Sequence, residues 1–394
     1  MQRKRYIRYQ ALLLCLGSIS LFALFPLPVF ADGGAPNLAY VAGSTQGVSV
    51  IDVTRQSITT TFPVKGDPQA LYLSLDGRFL YVAQPAIDQV SMLAAGTGQV
   101  LCSVHLSGNP SLMAFDPITG ALFVAGKQAK TISKIAVPTC RVSLTLEAKD
   151  QVSGLALNEF VPNNQKNQIW VASGKELELF DTETGQLQAT IPFPGNPQAL
   201  SLPLGQWVYA TTSQGDIFAV SLQQPYRIVH LLSGGQFGRM DFDQISGEIY
   251  VPDQALHQVD VLVPPNPNSN QAPHEPVRVY HLSSAPQSVA ITNDGAFGFI
   301  ALSTGKVEML DIFAREIINT FAVGGNPHFV ITGLYPPIVG TTPQQATLTN
   351  TITAVATYAL IILLLAFPLW FVWRKRKGKS VLQQDTQESE KSYP

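Results

Sequence analysis

The sequence is short of charge. Of its 394 residues, 13% are charged, roughly half the share of about 25% found in ordinary soluble domains. The net charge of -2 provides no field for a polyanion, so nucleic acid is excluded as an expected partner. Catalytic signatures are absent as well. There is no Cys-x-x-Cys-His, no His-Glu-x-x-His, no Gly-x-Ser-x-Gly elbow and no phosphate loop. His105, His230, His257, His274, His281 and His328 are scattered, and no two stand at metal-ligand spacing. No dense Asp/Asn loop argues for calcium. No cofactor and no metal are expected.

What is present begins with two apolar ends. Arg3, Lys4, Arg5 and Arg8 precede an apolar stretch over 11–25, and Val29 and Ala31 are the small residues of a cleavage site. Residues 1–31 therefore read as a secretory signal peptide, with an uncleaved anchor as the alternative. Leu14 before Cys15 is a poor lipoprotein signal. At the other end, 352–373 is 22 residues without a charge, enough to span about 30 Å of hydrocarbon. Arg374, Lys375, Arg376, Lys377 and Lys379 follow it and mark the cytoplasmic side. The expectation is a single-pass protein of the cell membrane. Its N-terminal ectodomain lies outside, its stalk covers 334–351, its transmembrane helix 352–373 contacts the lipid bilayer, and a basic tail over 374–394 is cytoplasmic.

The middle repeats itself. An aromatic-led phrase appears as Tyr40-Val41-Ala42, Tyr81-Val82-Ala83, Phe123-Val124-Ala125, Trp170-Val171-Ala172, Tyr209-Ala210-Thr211, Tyr250-Val251-Pro252 and Phe299-Ile300-Ala301. An alternating phrase follows each, as in Val48-Ser49-Val50-Ile51-Asp52. Alternation with period two predicts strands. A Gly-x-Pro turn opens a further strand at Gly66-Asp67-Pro68, Gly108-Asn109-Pro110, Gly195-Asn196-Pro197 and Gly325-Asn326-Pro327. The copy before Ser153 lacks this turn, and another reads Gly234-Gly235-Gln236-Phe237. Hairpin turns come next, as at Asp76-Gly77 and Asp294-Gly295.

Each unit of about 40 residues thus holds four short strands, A to D. One such sheet cannot bury both its faces, but sheets set radially around an axis bury one another and leave only short edges. The predicted fold class is all-β: a seven-bladed β-propeller over 38–333, plus the C-terminal transmembrane helix. A β-helix would need shorter coils without hairpin turns. The last Gly-x-Pro, at Gly325, leads to a strand A with no B after it, so the N- and C-terminal strands are expected to close one blade. The chain then leaves on the face of the A–B and C–D turns. That face is expected to look toward the lipid, and the Gly-x-Pro face outward. The insertions 161–168 and 264–276 fall on the lipid side and read as solvated loops or as contacts for a partner.

The phrases resemble the YVTN-type β-propeller repeat family, whose relatives include surface-layer-like and lactonase-like propellers. The resemblance covers roughly 38–333. It implies the fold and leaves function open.

The residue after the Gly-x-Pro proline opens the axial strand on the outward face. It reads Gln69, Ser111, Ser153, Gln198, Gly238, Gln287 and His328, with Arg239 one position beyond Gly238. Two readings stand: a polar ring for a ligand at the channel mouth, or strand ends bonding turn backbones. Asp52, Asp181 and Asp311 close C strands and are expected to start C–D turns. Cys102 and Cys140 fall in the outer strands of neighbouring blades. The compartment permits a disulfide, yet outer strands diverge and the bond needs Cα atoms within about 7 Å.

The expected function is non-enzymatic binding or scaffolding of an unknown extracellular ligand or protein through the outward channel face. The alternative is a lactonase-like hydrolase, for which His328 and Arg239 are the available side chains. A quinone- or copper-dependent oxidoreductase subunit lacks the clustered His or Cys it would need.

Overall fold

The computed structural model describes residues 38–333 except 75, 117–118, 128, 138, 158–166, 204 and 267–273. The expected signal peptide, stalk, transmembrane helix and tail lie outside the described residues, as does most of both insertions. Among the described residues, no helix is long and apolar enough to cross a membrane.

The strands form seven four-stranded antiparallel sheets. We number the blades by their innermost strands: I Ala70–Leu73, II Pro110–Asp116, III Val152–Leu157, IV Pro197–Ser201, V Asp241–Phe242, VI Pro286–Ile291 and VII Phe329–Gly333. The outer three strands of blade VII come from the other end of the domain: Leu38–Ser44, Gly47–Asp52 and Ser57–Pro63. Leu38 stands opposite Gly333 and Ala42 opposite Phe329. The ring is closed by both ends of the domain, as the orphan A strand requires.

The aromatic phrase is buried throughout because its two faces meet two different neighbours. Tyr40 packs with Leu71, Leu80 and Val82 of blade I. Ala39 and Val41 point the other way, onto Phe299, Val307 and Met309 of blade VI. Seven such apolar clusters fill the seven gaps between blades. The core is therefore a ring of wedges. Each fully buried large side chain contributes about 1.5–3 kcal/mol, so a blade is stable because it has neighbours. Outer strands lose this symmetry. In Ser57–Pro63 only Phe62 is buried, and the residues around it face water.

The turns follow their residue types. Asp67 and Asn109, the middle residues of two Gly-x-Pro turns, have φ of 50° and 59°, a left-handed conformation that Asp and Asn tolerate. Asp52, Asp181 and Asp311 do start the C–D turns. Their Oδ1 atoms accept from the backbone N–H groups of Arg55, Thr184 and Ala314, each at 2.8 Å.

Candidate functional site at the channel mouth

The strand-opening residues sit on a repeated irregularity. Register breaks fall between Pro110 and Leu112, Val152 and Gly154, Pro197 and Leu200, and Pro286 and Ser288. Each is a bulge at the position of Ser111, Ser153, Gln198 or Gln287. A bulge takes one residue out of the ladder and re-aims its side chain. In three of the four it turns the strand-opening side chain, Ser153, Gln198 or Gln287, toward the mouth of the channel.

A cavity of about 740 Å³ opens there. It is lined by Gln69, Ser153, Gln198, Arg239, Gln287 and His328, six of the seven candidate side chains. Ser111 is the exception. It is buried, its hydroxyl lacks a partner, and it does not line the cavity; its contribution is its carbonyl. The Ser153 hydroxyl is spoken for, donating toward the Pro197 carbonyl at 2.6 Å. That is the strand-end reading, and it holds for this residue. Gln69 Nε2 donates to Asp67 Oδ2 at 3.2 Å, and His328 Nε2 lies 3.4 Å from Asp67 Oδ1. Gln254 Nε2 reaches Gln287 Oε1 at 3.4 Å.

Arg239 dominates the site. Its Nη2 donates to the Ser111 carbonyl at 2.7 Å and its Nη1 to the Gln69 carbonyl at 3.4 Å. The side chain thus reaches across the axis from blade V to blades I and II. Its guanidinium stands 4.8 Å from the centre of the Phe329 ring, a cation–π distance. Burial pushes its pKa down to about 10, so it stays cationic at neutral pH. Lys127 also lines the cavity. Its amine is held below the usual lysine range by burial first and by Arg239 second.

The reach of Arg239 has a local cause. In blade V the aromatic phrase ends in Pro252, where the other copies have Ala or Thr. Gly238 N–H donates to the Pro252 carbonyl at 2.8 Å, but a proline has no N–H to return. The next residue leaves the sheet. Arg239 N–H donates to Gln287 O at 3.1 Å, and Val289 N–H donates to Arg239 O at 3.3 Å, a parallel bridge to blade VI. A β-carbon on Gly238 would meet the Gln287 carbonyl oxygen at 2.5 Å. Glycine is the residue that fits there, and Arg239 supplies the side chain of the seventh position.

Reading the strand-opening residues alone misses Lys127, Gln236 and Gln254, which line the same cavity. Lys127 and Gln254 belong to B–C turns, between Ala121–Gly126 and Thr131–Ala136 and between Ile249–Asp253 and Gln258–Leu262. In a four-stranded blade, B–C turns share a face with the turns that precede strand A. That topology is the signal that points to them.

Among the described residues no group of three or more His, Cys, Asp or Glu is placed to hold a metal ion. The structure joins Cys102 to Cys140, with Cα atoms 6.1 Å apart. Cys102 lies inside the outer strand Val100–His105, but Cys140 precedes Arg141–Glu147 and belongs to the C–D turn. A turn can reach back over the divergence that separates two outer strands.

No family model matches the chain, and no curated protein matches it. Solved structures do. A protein of unknown function from Desulfotomaculum acetoxidans aligns at TM-score 0.63 and 13% identity, over 76% of this chain and 100% of that one. The β-propeller domain of Cps50 (Swd1) from Myceliophteria thermophila aligns at 0.57 and 13%, over 69% and 91%. The dihydro-heme d1 dehydrogenase NirN aligns at 0.56 and 14%, over 78% of each chain. At such identities the likeness shows the fold alone: this chain is a seven-bladed β-propeller similar to proteins of differing function.

Proposed function

We propose that the protein is a membrane-anchored, extracytoplasmic binding module that captures its ligand or partner at the outward channel mouth without turning it over. The observation that carries this is the cavity of about 740 Å³, lined by side chains from several blades. Its size falls within the range of about 300–1,000 Å³ typical of small-molecule sites. The phrases that resemble YVTN-type repeats support a surface-displayed propeller, and the signal-like and anchor-like ends support a location at the cell membrane.

The lactonase-like alternative draws on His328 and Arg239 lining one cavity. It is weaker, because His328 faces Asp67 at the rim.

The test is capture on a glycan and metabolite array by the full-length chain in detergent. Gln198 is exposed, so Gln198→Trp narrows the mouth without entering a core. It should abolish whatever the wild type captures. Capture that survives this change would put binding elsewhere and defeat the reading. Hydrolysis of a lactone panel that is lost in His328→Ala would favour the alternative.

A further inference from the structure

We propose that the channel-mouth cavity takes a small polyhydroxylated organic anion of the sugar-acid type, with Arg239 and Lys127 as its charge partners. This rests on the channel mouth being a binding site and names the ligand class.

The charge argument starts from Arg239. A guanidinium carries five N–H donors. Two are used, on the Ser111 and Gln69 carbonyls. Those contacts and the Phe329 ring fix the group in place. Among the described residues no carboxylate lies within ion-pair distance of it. Arg239 is half-buried, and a cation withdrawn from water without a counter-charge is costly. Lys127, the second cation of the cavity, has no carboxylate within ion-pair distance among the described residues either. Arg239 adds to the cost of charging Lys127, whose amine is lowered by burial first and by Arg239 second. The acidic groups nearby have other partners. Asp150 lines the cavity but lies 3.9 Å from Lys130, and Asp67 faces His328 and Gln69. An anion from solution would supply the charge that the protein omits.

The rest of the lining sets the remainder of the ligand. Gln198, Gln254, Gln287 and Asn196 line the cavity. An amide offers donors and an acceptor side by side, which is the pattern that a sugar hydroxyl, both donor and acceptor, can complete. Phe237 and Phe329 add apolar surface for C–H faces. An inorganic anion would leave most of about 740 Å³ and these amides unused.

Calorimetric titration of the full-length chain in detergent should use galacturonate, galactose and inorganic phosphate at low and high salt. Galacturonate should bind at least tenfold more tightly than either of the others, and its affinity should fall with salt. Arg239→Gln should remove the preference for galacturonate. Should that variant fail to fold, Lys127→Gln, in a B–C turn, should still weaken galacturonate several-fold. Galactose binding as tightly as galacturonate would overturn the anion and leave the channel reading standing. Phosphate binding as tightly would overturn the polyol. If none of the three binds, the inference fails even where array capture blocked by Gln198→Trp upholds the binding site itself.

Discussion

Two blade boundaries of this propeller are reinforced in opposite ways. Between blades I and II the reinforcement is covalent and peripheral: Cys102 of an outer strand is bonded to Cys140 of a neighbouring turn. Between blades V and VI it is main-chain and axial, where Arg239 leaves its own sheet and pairs with Gln287 and Val289 of the next. At the first boundary the inner strands keep their length, Ala70–Leu73 and Pro110–Asp116. The second goes with an inner strand cut to two residues, Asp241–Phe242. Blade V also holds Tyr280, whose buried hydroxyl lacks a partner. Regular blades hold the ring together. The irregular one carries the cation across the axis, and local disorder of pattern is the cost of that placement.

Cutting the covalent boundary should have the largest effect. The disulfide closes a sequence separation of 38 residues, for which loop-closure entropy predicts about 4 kcal/mol. Cys102→Ala together with Cys140→Ala should lower unfolding stability by about that much. Reductant should do the same to the wild type and nothing to the double variant. A wild type indifferent to reductant would mean that the boundary rests on the apolar cluster of Tyr81, Phe115 and Leu122 alone.

The second prediction has the opposite sign. In blades III and VI an acid in strand C holds the backbone ahead of strand A. Glu178 accepts from Lys149 N–H at 3.1 Å, and Glu308 from Ser283 N–H at 3.4 Å. Blade V has the shorter Asp260 at that place, bonded by Gln258 Nε2 at 2.8 Å. Burial pushes its carboxyl up to about 6, Asp253 adds to the rise, and His281 opposes it. The folded chain thus keeps a proton between about pH 4 and 6 that the unfolded chain has released. Stability is full below that window and falls as pH rises through it. Asp260→Asn should flatten the slope and stabilise the protein at pH 7 by roughly 3 kcal/mol. Denaturant unfolding at pH 4 and pH 7 measures it. A variant that loses stability at both values would show that the charge is needed.

These contrasts also mark what could be read from the chain. The seven aromatic phrases carry the blade count, because each must be buried on both faces. The orphan strand after Gly325 carries the closure, because an unpaired A strand requires a B strand from elsewhere. The ring positions followed from the same topology, and six of the seven candidate side chains meet at one cavity. Other features depend on contacts between blades, which no repeat encodes. Lys127 and Gln254 reach the mouth from B–C turns that carry no shared phrase. Cys140 meets Cys102 because it sits in a turn rather than in the strand assigned to it. The departure of Arg239 was written in Pro252, but a proline shows that a bond is missing and not where its partner goes.

The smallest effect should come from making blade V resemble its neighbours at one atom. Gly238→Ser restores the residue type found at Ser111 and Ser153. In a regular blade that side chain has room at the bulge. Here its β-carbon would meet the Gln287 carbonyl, the group that accepts from Arg239 N–H. Overpacking of this kind costs typically 1–3 kcal/mol, so about 2 kcal/mol is expected, read as a shift in the denaturant midpoint. Relief of the clash requires the Arg239 backbone to part from blade VI, which moves the guanidinium off Ser111 and Gln69. Affinity at the channel mouth should therefore fall together with stability. Ser153→Gly, the converse change in blade III, removes a hydroxyl bonded to the Ala172 and Pro197 carbonyls and should cost about 1 kcal/mol while leaving ligand affinity unchanged. If both variants moved stability and affinity alike, blade V would be no different from the rest, and the axial cation would not depend on the irregular strand.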